Sequence, residues 1–233
     1  MTEPERIIIA IDGPAGAGKS TLAARIAQRF GLLNLETGAM YRAFALKALE
    51  AGLSPEDGPG LEALAATSLI DLEASPTGNR VFLDGEEVTW RLREKSVTEA
   101  ASRVSVHPAI RRWMVALQRK LGEGGRIVME GRDIGSAVFP DADVKIFLDA
   151  DPEVRSQRRY EQIEATPTTR APGAVLPEAV LKDIRERDQR DRTRALSPLK
   201  PAPDAVIIDS TGLSLDQVIE RVEGIIQERL KLS

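Results

Sequence analysis

Ile7-Ile8-Ile9-Ala10-Ile11-Asp12-Gly13-Pro14-Ala15-Gly16-Ala17-Gly18-Lys19-Ser20 is the stretch on which the fold turns. It opens as an apolar run of strand length and closes on a match to G-x-x-x-x-G-K-[ST]. After it, Leu22, Ile26, Ala27 and Phe30 fall on one face of a helix. A strand feeding a glycine-rich loop that opens a helix is the setting in which this motif works. The glycines let the loop curl its N–H groups round a phosphate, and the helix N-terminus adds partial positive charge. Lys19 is expected to reach the β- and γ-phosphates, and Ser20 to hold Mg²⁺. The stretch predicts a nucleoside triphosphate site.

The pattern repeats downstream. Apolar runs recur at Leu32 to Leu35, Ile127 to Met129, Val144 to Leu148 and Val206 to Ile208, with helical periodicity between them. Continuous runs of this length suit strands buried on both faces of a parallel sheet. Asp151-Pro152-Glu153 reads as a helix start. Ser214 and Gln217 read as a capping box ahead of the stripe Val218, Ile219, Val222, Ile225, Ile226 and Leu230. Alternating strands and helices predict an α/β doubly wound fold. Residues 69–90 depart from that alternation. A Pro76-Thr77-Gly78-Asn79 turn, then Val81-Phe82-Leu83 and an Asp84-Gly85 turn, predict a small inserted antiparallel unit. Thr166 to Gly173 is expected to be a mobile loop between two charged helices.

Three further clusters carry chemistry. Glu36-Thr37-Gly38-Ala39-Met40-Tyr41-Arg42 and Glu130-Gly131-Arg132-Asp133-Ile134-Gly135 each follow an apolar run. Ligands of open α/β sheets bind at those carboxyl ends of strands. Arg132 suits bidentate contact with a phosphate, and Asp133 suits hydrogen bonds from a base or sugar. In the third cluster, Arg187, Arg190, Asp191 and Arg194 fall on one helix face, with Asp188 and Arg192 as i,i+4 neighbours off it. Phosphoryl transfer needs cations round the moving group and water kept away, and a lid bearing arginines supplies both. Asp149, ending its own apolar run, would suit a motor-type ATPase. Asp209-Ser210-Thr211-Gly212 matches a switch-like D-x-x-G, but the guanine-reading Asn-Lys-x-Asp is missing. His107, just before Pro108, reads as a helix boundary, and Trp90 and Trp113 as packing residues.

Composition narrows the rest. The 233 residues carry 36 acidic and 32 basic side chains, a net charge of −4, which argues against a general nucleic-acid binder. No apolar run approaches the roughly 18 residues of a membrane span. The charged N-terminus leads straight into a strand, so no signal peptide is expected. The protein is expected to be soluble and cytoplasmic. With no cysteine and one histidine, disulfides, thiolate catalysis and most zinc sites are excluded. Arginine outnumbers lysine 24 to 8, and five arginines lie between Arg185 and Arg194.

Taken together, IDGPAGAGKST, TGAMYRA, VFLDGEEVT, EGRDIG with VFPDADVKIFLDA, and RERDQRDRTRALSPLKP resemble the bacterial cytidylate kinases, nucleoside monophosphate kinases of the P-loop class. The resemblance runs from Ile7 to the C-terminal helix. It implies a five-stranded parallel core, an inserted CMP-binding subdomain and a helical lid. One domain over 1–233 is expected, with core segments 1–60, 120–157 and 200–233, an insertion at about 61–119 and a lid at about 158–199. It further implies transfer of the ATP γ-phosphoryl to CMP or dCMP with Mg²⁺, by a monomer. Carried over by motif, Gly13, Pro14, Ala15, Gly16, Ala17, Gly18, Lys19, Ser20 and Thr21 would hold ATP, with Arg158 meeting it from the lid. Thr37, Arg42 and Arg132 would grip the CMP phosphate, with Tyr41 and Asp191 on its sugar. Ser102, Arg111 and Asp133 would read cytosine, the base contact going to Arg111 and not its neighbour Arg112. Arg187 and Arg194 would bridge the two phosphates; with Lys19 and Arg132 they make the implied catalytic set. The rival expectations are a P-loop kinase for another acceptor, such as UMP, AMP or shikimate, and a nucleotide-dependent switch.

Overall fold

The computed structural model describes residues 6–75, 78–165 and 176–230; Pro76, Thr77 and the loop Thr166 to Gly173 lie outside them. Strands β1 (Ile8–Asp12), β2 (Leu33–Glu36), β6 (Ile127–Gly131), β7 (Val144–Asp149) and β8 (Val206–Asp209) pair in the order β2-β6-β1-β7-β8. Every pairing is parallel. Connections between them run through α1 (Lys19–Phe30), α2 (Thr37–Glu50), α5 (Pro108–Leu121), α6 (Pro152–Ala165) and α7 (Pro177–Thr193), and α8 (Leu215–Leu230) closes the chain. This is the expected α/β architecture.

The central strand shows why the apolar runs are unbroken. Along β1, Ile8 and Ala10 face one core, shared with α2 and α5, while Ile9 and Ile11 face the other, shared with α1 and α8. Burial on both faces removes the polar alternation seen in half-exposed strands. The edge strands depart from that expectation: Leu33 of β2 and Ile207 of β8 are 54% and 61% exposed. An edge position leaves one flank uncovered, so strand-length apolarity there does not mean burial. At the last helix, the capping box forms as read: Ser214 N–H donates to Gln217 Oε1 at 2.9 Å and Gln217 N–H to Ser214 Oγ at 3.3 Å.

Between α2 and β6 lies the separate unit. It holds α3 (Gly58–Ala65), a second sheet of β3 (Ile70–Ser75), β4 (Gly78–Leu83) and β5 (Glu86–Glu87), and then α4 (Lys95–Val104). The strands are antiparallel, and Asp84 and Gly85 both take positive φ in the two-residue turn joining β4 to β5. Trp113 of α5 packs edge-on against Phe44 of α2 at 5.1 Å between centroids, while Trp90 stays 78% exposed. His107 precedes α5 with its Nε2 2.8 Å from the Pro55 carbonyl. No helix among the described residues is long and apolar enough to cross a membrane.

Candidate active site

The loop from Gly13 to Gly18 leaves the carboxyl end of β1. It turns tightly enough that Gly13 sits at φ +148°, where a Cβ would lie 2.0 Å from the Leu148 carbonyl oxygen. Only glycine tolerates that approach. Lys19 is buried and folds back to donate to the Pro14 carbonyl at 2.8 Å. Ser20 Oγ donates to Glu130 Oε1 at 2.8 Å. That carboxylate ends the neighbouring strand β6, which runs in register with β1, Asp12 beside Gly131. The acid facing the loop is therefore Glu130. Asp149, weighed for such a part, accepts the N–H of Ala150 at its own strand end.

The second cluster follows directly from β6. Asp12 accepts the N–H groups of Ile134 and Gly135 at 2.7 and 2.8 Å, which clamps the turn that carries Arg132 and Asp133. Arg132 Nε donates to Asp191 Oδ2 of α7 at 2.9 Å, so the β6 end and the arginine-rich helix meet. Asp133 pairs with Arg111 at 2.5 Å, both buried, and Arg194 Nη2 lies 3.6 Å from the same carboxylate. Arg112, next to Arg111, is exposed. From β2, Thr37 Oγ1 donates to the Glu130 carbonyl at 2.8 Å, and Arg42 pairs with Glu36. Arg111 lies 5.7 Å from the Tyr41 ring centre.

One sequence expectation needs correction here. Arg194 does not continue the helical face of Arg187, Arg190 and Asp191. Helix α7 ends at Thr193, and Arg194 is extended, at ψ 143°. Its side chain still turns back into the cluster, donating to Asp191 Oδ1 at 3.3 Å. Asp188, off that face, is buried, because α6 packs over it. On the same helix, Arg187 Nη2 donates to the Thr98 carbonyl and Arg190 Nε to Ser102 Oγ, at 2.9 and 3.1 Å, docking α7 on α4. Arg158, from α6, is drawn to the β8–α8 loop, donating to Ser210 Oγ and O at 3.0 and 2.7 Å. Glu130 and Asp12 carried no role in the sequence reading, and Arg190 only a place in the arginine cluster. Glu130 had a signal, an acid at the end of an apolar strand.

Electrostatically the site is strained toward an anion. Burial, with Arg132 adding to it, pushes the Lys19 ammonium down to about 8, against the pull of Glu130, Asp12 and Asp191. Burial raises Glu130 despite Lys19, and lifts Asp12 to about 6 despite its two N–H donors. Burial also lifts Tyr41 to about 12, so it stays a hydroxyl. The guanidinium groups of Arg187 and Arg194 are lowered by burial, with Arg132 and Arg111 respectively adding repulsion. Among the described residues, Tyr41 Oη, Arg42 Nε, Arg111 Nε, Arg187 Nε and Arg194 Nη2 are buried polar atoms with no hydrogen-bond partner. Such atoms cost free energy unless something satisfies them. Four of the five are guanidinium nitrogens, donors that suit a highly charged, oxygen-rich ligand.

A family model described as cytidylate kinase matches residues 9–228. The chain is 47% identical over 229 residues to a cytidylate kinase of Solibacter usitatus, covering 98% of this chain and 96% of that protein. It is 48% identical over 225 residues to a cytidylate kinase of Geobacillus kaustophilus, covering 97% and 98%. Among solved structures, an uncharacterized protein of Eubacterium ventriosum aligns over 95% of this chain and 99% of its own, with TM-score 0.53 and 12% identity, a likeness of fold alone.

Proposed function

The chain belongs to the cytidylate kinase family, and from that premise we propose that it transfers the γ-phosphoryl group of ATP to CMP or dCMP, giving ADP and CDP or dCDP. One observation carries the reading furthest. The P-loop and the Arg132 turn leave adjacent, in-register strands, and Arg132 binds Asp191 of the arginine-rich helix. The phosphate loop and Arg132 thus stand at neighbouring strand ends, an arrangement that suits a donor and an acceptor phosphate.

In this reading the loop Gly13 to Thr21 cradles the ATP phosphates, with Lys19 neutralising charge on the transferred group. Arg158 borders the nucleoside side. Thr37, Arg42 and Arg132 hold the acceptor phosphate, while Tyr41 and Asp191 face its sugar. The Arg111–Asp133 pair, with Ser102, presents fixed donors and acceptors to a cytosine edge. Arg187 and Arg194 lie between the two phosphates and stabilise charge that spreads over the moving group. The insertion and the helices α6 and α7 are the parts that keep water out. No covalent enzyme intermediate is needed, since phosphoryl transfer rests on positioning and charge.

The donor set fits Mg²⁺. Ser20 Oγ and Glu130 Oε1 are hard oxygens 2.8 Å apart at the mouth of the phosphate loop, and these two residues would hold the ion. Bound there, it would neutralise β- and γ-phosphate oxygens. The test is ADP release from ATP and Mg²⁺ with CMP, dCMP, UMP, AMP or shikimate in turn. ADP with CMP and dCMP alone is expected. ADP with another acceptor would discard the base-site assignments, and ADP with none would make the chain an ATPase.

A further inference from the structure

One buried guanidinium of α6 joins three separate parts of the chain. Arg155 of α6 is 1% exposed. Its Nε donates to the Ala150 carbonyl at 2.7 Å, and its Nη1 to the Ala15 carbonyl at 2.8 Å. Nη1 and Nη2 then close a two-pronged pair on Asp188 of α7, at 3.2 and 2.6 Å. One side chain therefore joins the exit of β7, the tip of the phosphate loop and the lid-side helix. Backbone packing at the same place is equally close. A Cβ on Gly16 would come within 3.1 Å of the Arg155 carbonyl oxygen and 3.5 Å of Ile184 Cδ1 on α7.

The neighbours of Asp188 give this joint its meaning. Arg187 directly precedes it, and Asp191, which binds Arg132, follows less than one turn later. The distance from Ala15 to Asp188 thus sets where α7 stands relative to the phosphate loop. It also sets whether Arg187 and Lys19 address the same phosphoryl group. A buried ion pair adds little stability over apolar packing, but its bidentate geometry fixes distance and angle. Lysine, a single point charge on a flexible stem, cannot serve the Ala150, Ala15 and Asp188 acceptors from one plane.

We propose that Arg155 and Asp188 are positioning residues for phosphoryl transfer, locking helix α7 to the phosphate loop so that Arg187 and Lys19 converge. The inference rests on the CMP kinase reading, and the experiment separates the two. Steady-state kinetics are measured for wild type, Arg155→Lys, Asp188→Asn, Asp188→Glu and the Arg155→Lys/Asp188→Asn double variant, each checked for folding by circular dichroism.

Wild type without CMP kinase activity sinks the functional reading, whatever the variants do. Given activity, Asp188→Asn and Arg155→Lys are expected to lose about 10- to 100-fold in kcat, the scale of a misplacement near 1 Å. KM for CMP should stay within about threefold, because its contacts are elsewhere. The double variant should be no slower than the worse single, as for two halves of one strut. Asp188→Glu, which keeps the carboxylate, should recover part of the loss. Unchanged kcat in folded Asp188→Asn overturns the proposal. So do fully additive losses, or losses confined to KM. If Arg155→Lys does not fold, Asp188→Asn and Asp188→Glu alone decide: a kcat deficit partly recovered by Glu supports the strut, and no deficit or no recovery rejects it.

Discussion

Lys19 shows how much one side chain depends on its surroundings. An exposed lysine stays charged past pH 10, whereas this one, buried and beside Arg132, titrates at about 8 in the free protein. The charged form is the one that meets phosphate. Since the folded value is lowered, the ammonium is full below it and lost as pH rises through it. Free-enzyme kcat/KM for ATP should therefore fall about tenfold per pH unit above 8. A flat profile to pH 10 would show that the charge on Lys19 does not bind ATP. Removing the group altogether, in Lys19→Ala, or removing its counterpart in Arg187→Ala, should cost at least about 100-fold in turnover with the fold kept. Intact turnover in either folded variant would overturn its assignment.

At the scale of elements, one amide bridges the insertion to the edge of β2. Asn79 of β4 accepts the Glu36 N–H at 2.7 Å and donates to the Asn34 carbonyl at 2.7 Å, standing in for a missing strand along the edge of β2. The same edge leads into Thr37 and Arg42. Asn79→Ala strands both backbone groups, at a cost of about 1–3 kcal/mol. Its consequence should be asymmetric. KM for CMP should rise severalfold while KM for ATP holds, because the phosphate loop leaves β1, not β2. Equal changes in both would show that the joint supports the fold at large, not the acceptor side. Helix α7 acts at this scale too, with Arg187 and Arg190 docked on α4 and Asp188 on α6.

For the whole molecule, the crowded cations predict that substrates stabilise the fold. A ligand present at 100 times its Kd adds about 2.7 kcal/mol by mass action. Thermal melts with CMP and with ATP·Mg²⁺ should each shift upward, and UMP at equal concentration should shift the melt far less. Equal shifts with CMP and UMP would remove the cytosine-reading role from Ser102, Arg111 and Asp133. Both cores share β1, so binding at its carboxyl end is felt on either face of the sheet.

By itself the sequence determined the strand–loop–helix that opens the chain, the alternation that makes a parallel sheet, and the antiparallel unit with its Asp84-Gly85 turn. Those features are local: periodicity, turn chemistry and capping act within a few residues, so one chain segment displays them whole. The ends of β6 and β2 were legible as candidate ligand sites, since strand ends in such sheets face the crevice. Only tertiary structure decided that Glu130, and not Asp149, faces Ser20: β6 and β7 both flank β1, but Glu130 lies beside Ile11 while Asp149 stands two residues beyond the partner of Asp12. It alone buried Asp188, because α6 brings Arg155 against it across 33 positions of sequence. Pairings at that separation are chosen by packing, and no single stretch of chain carries their signal.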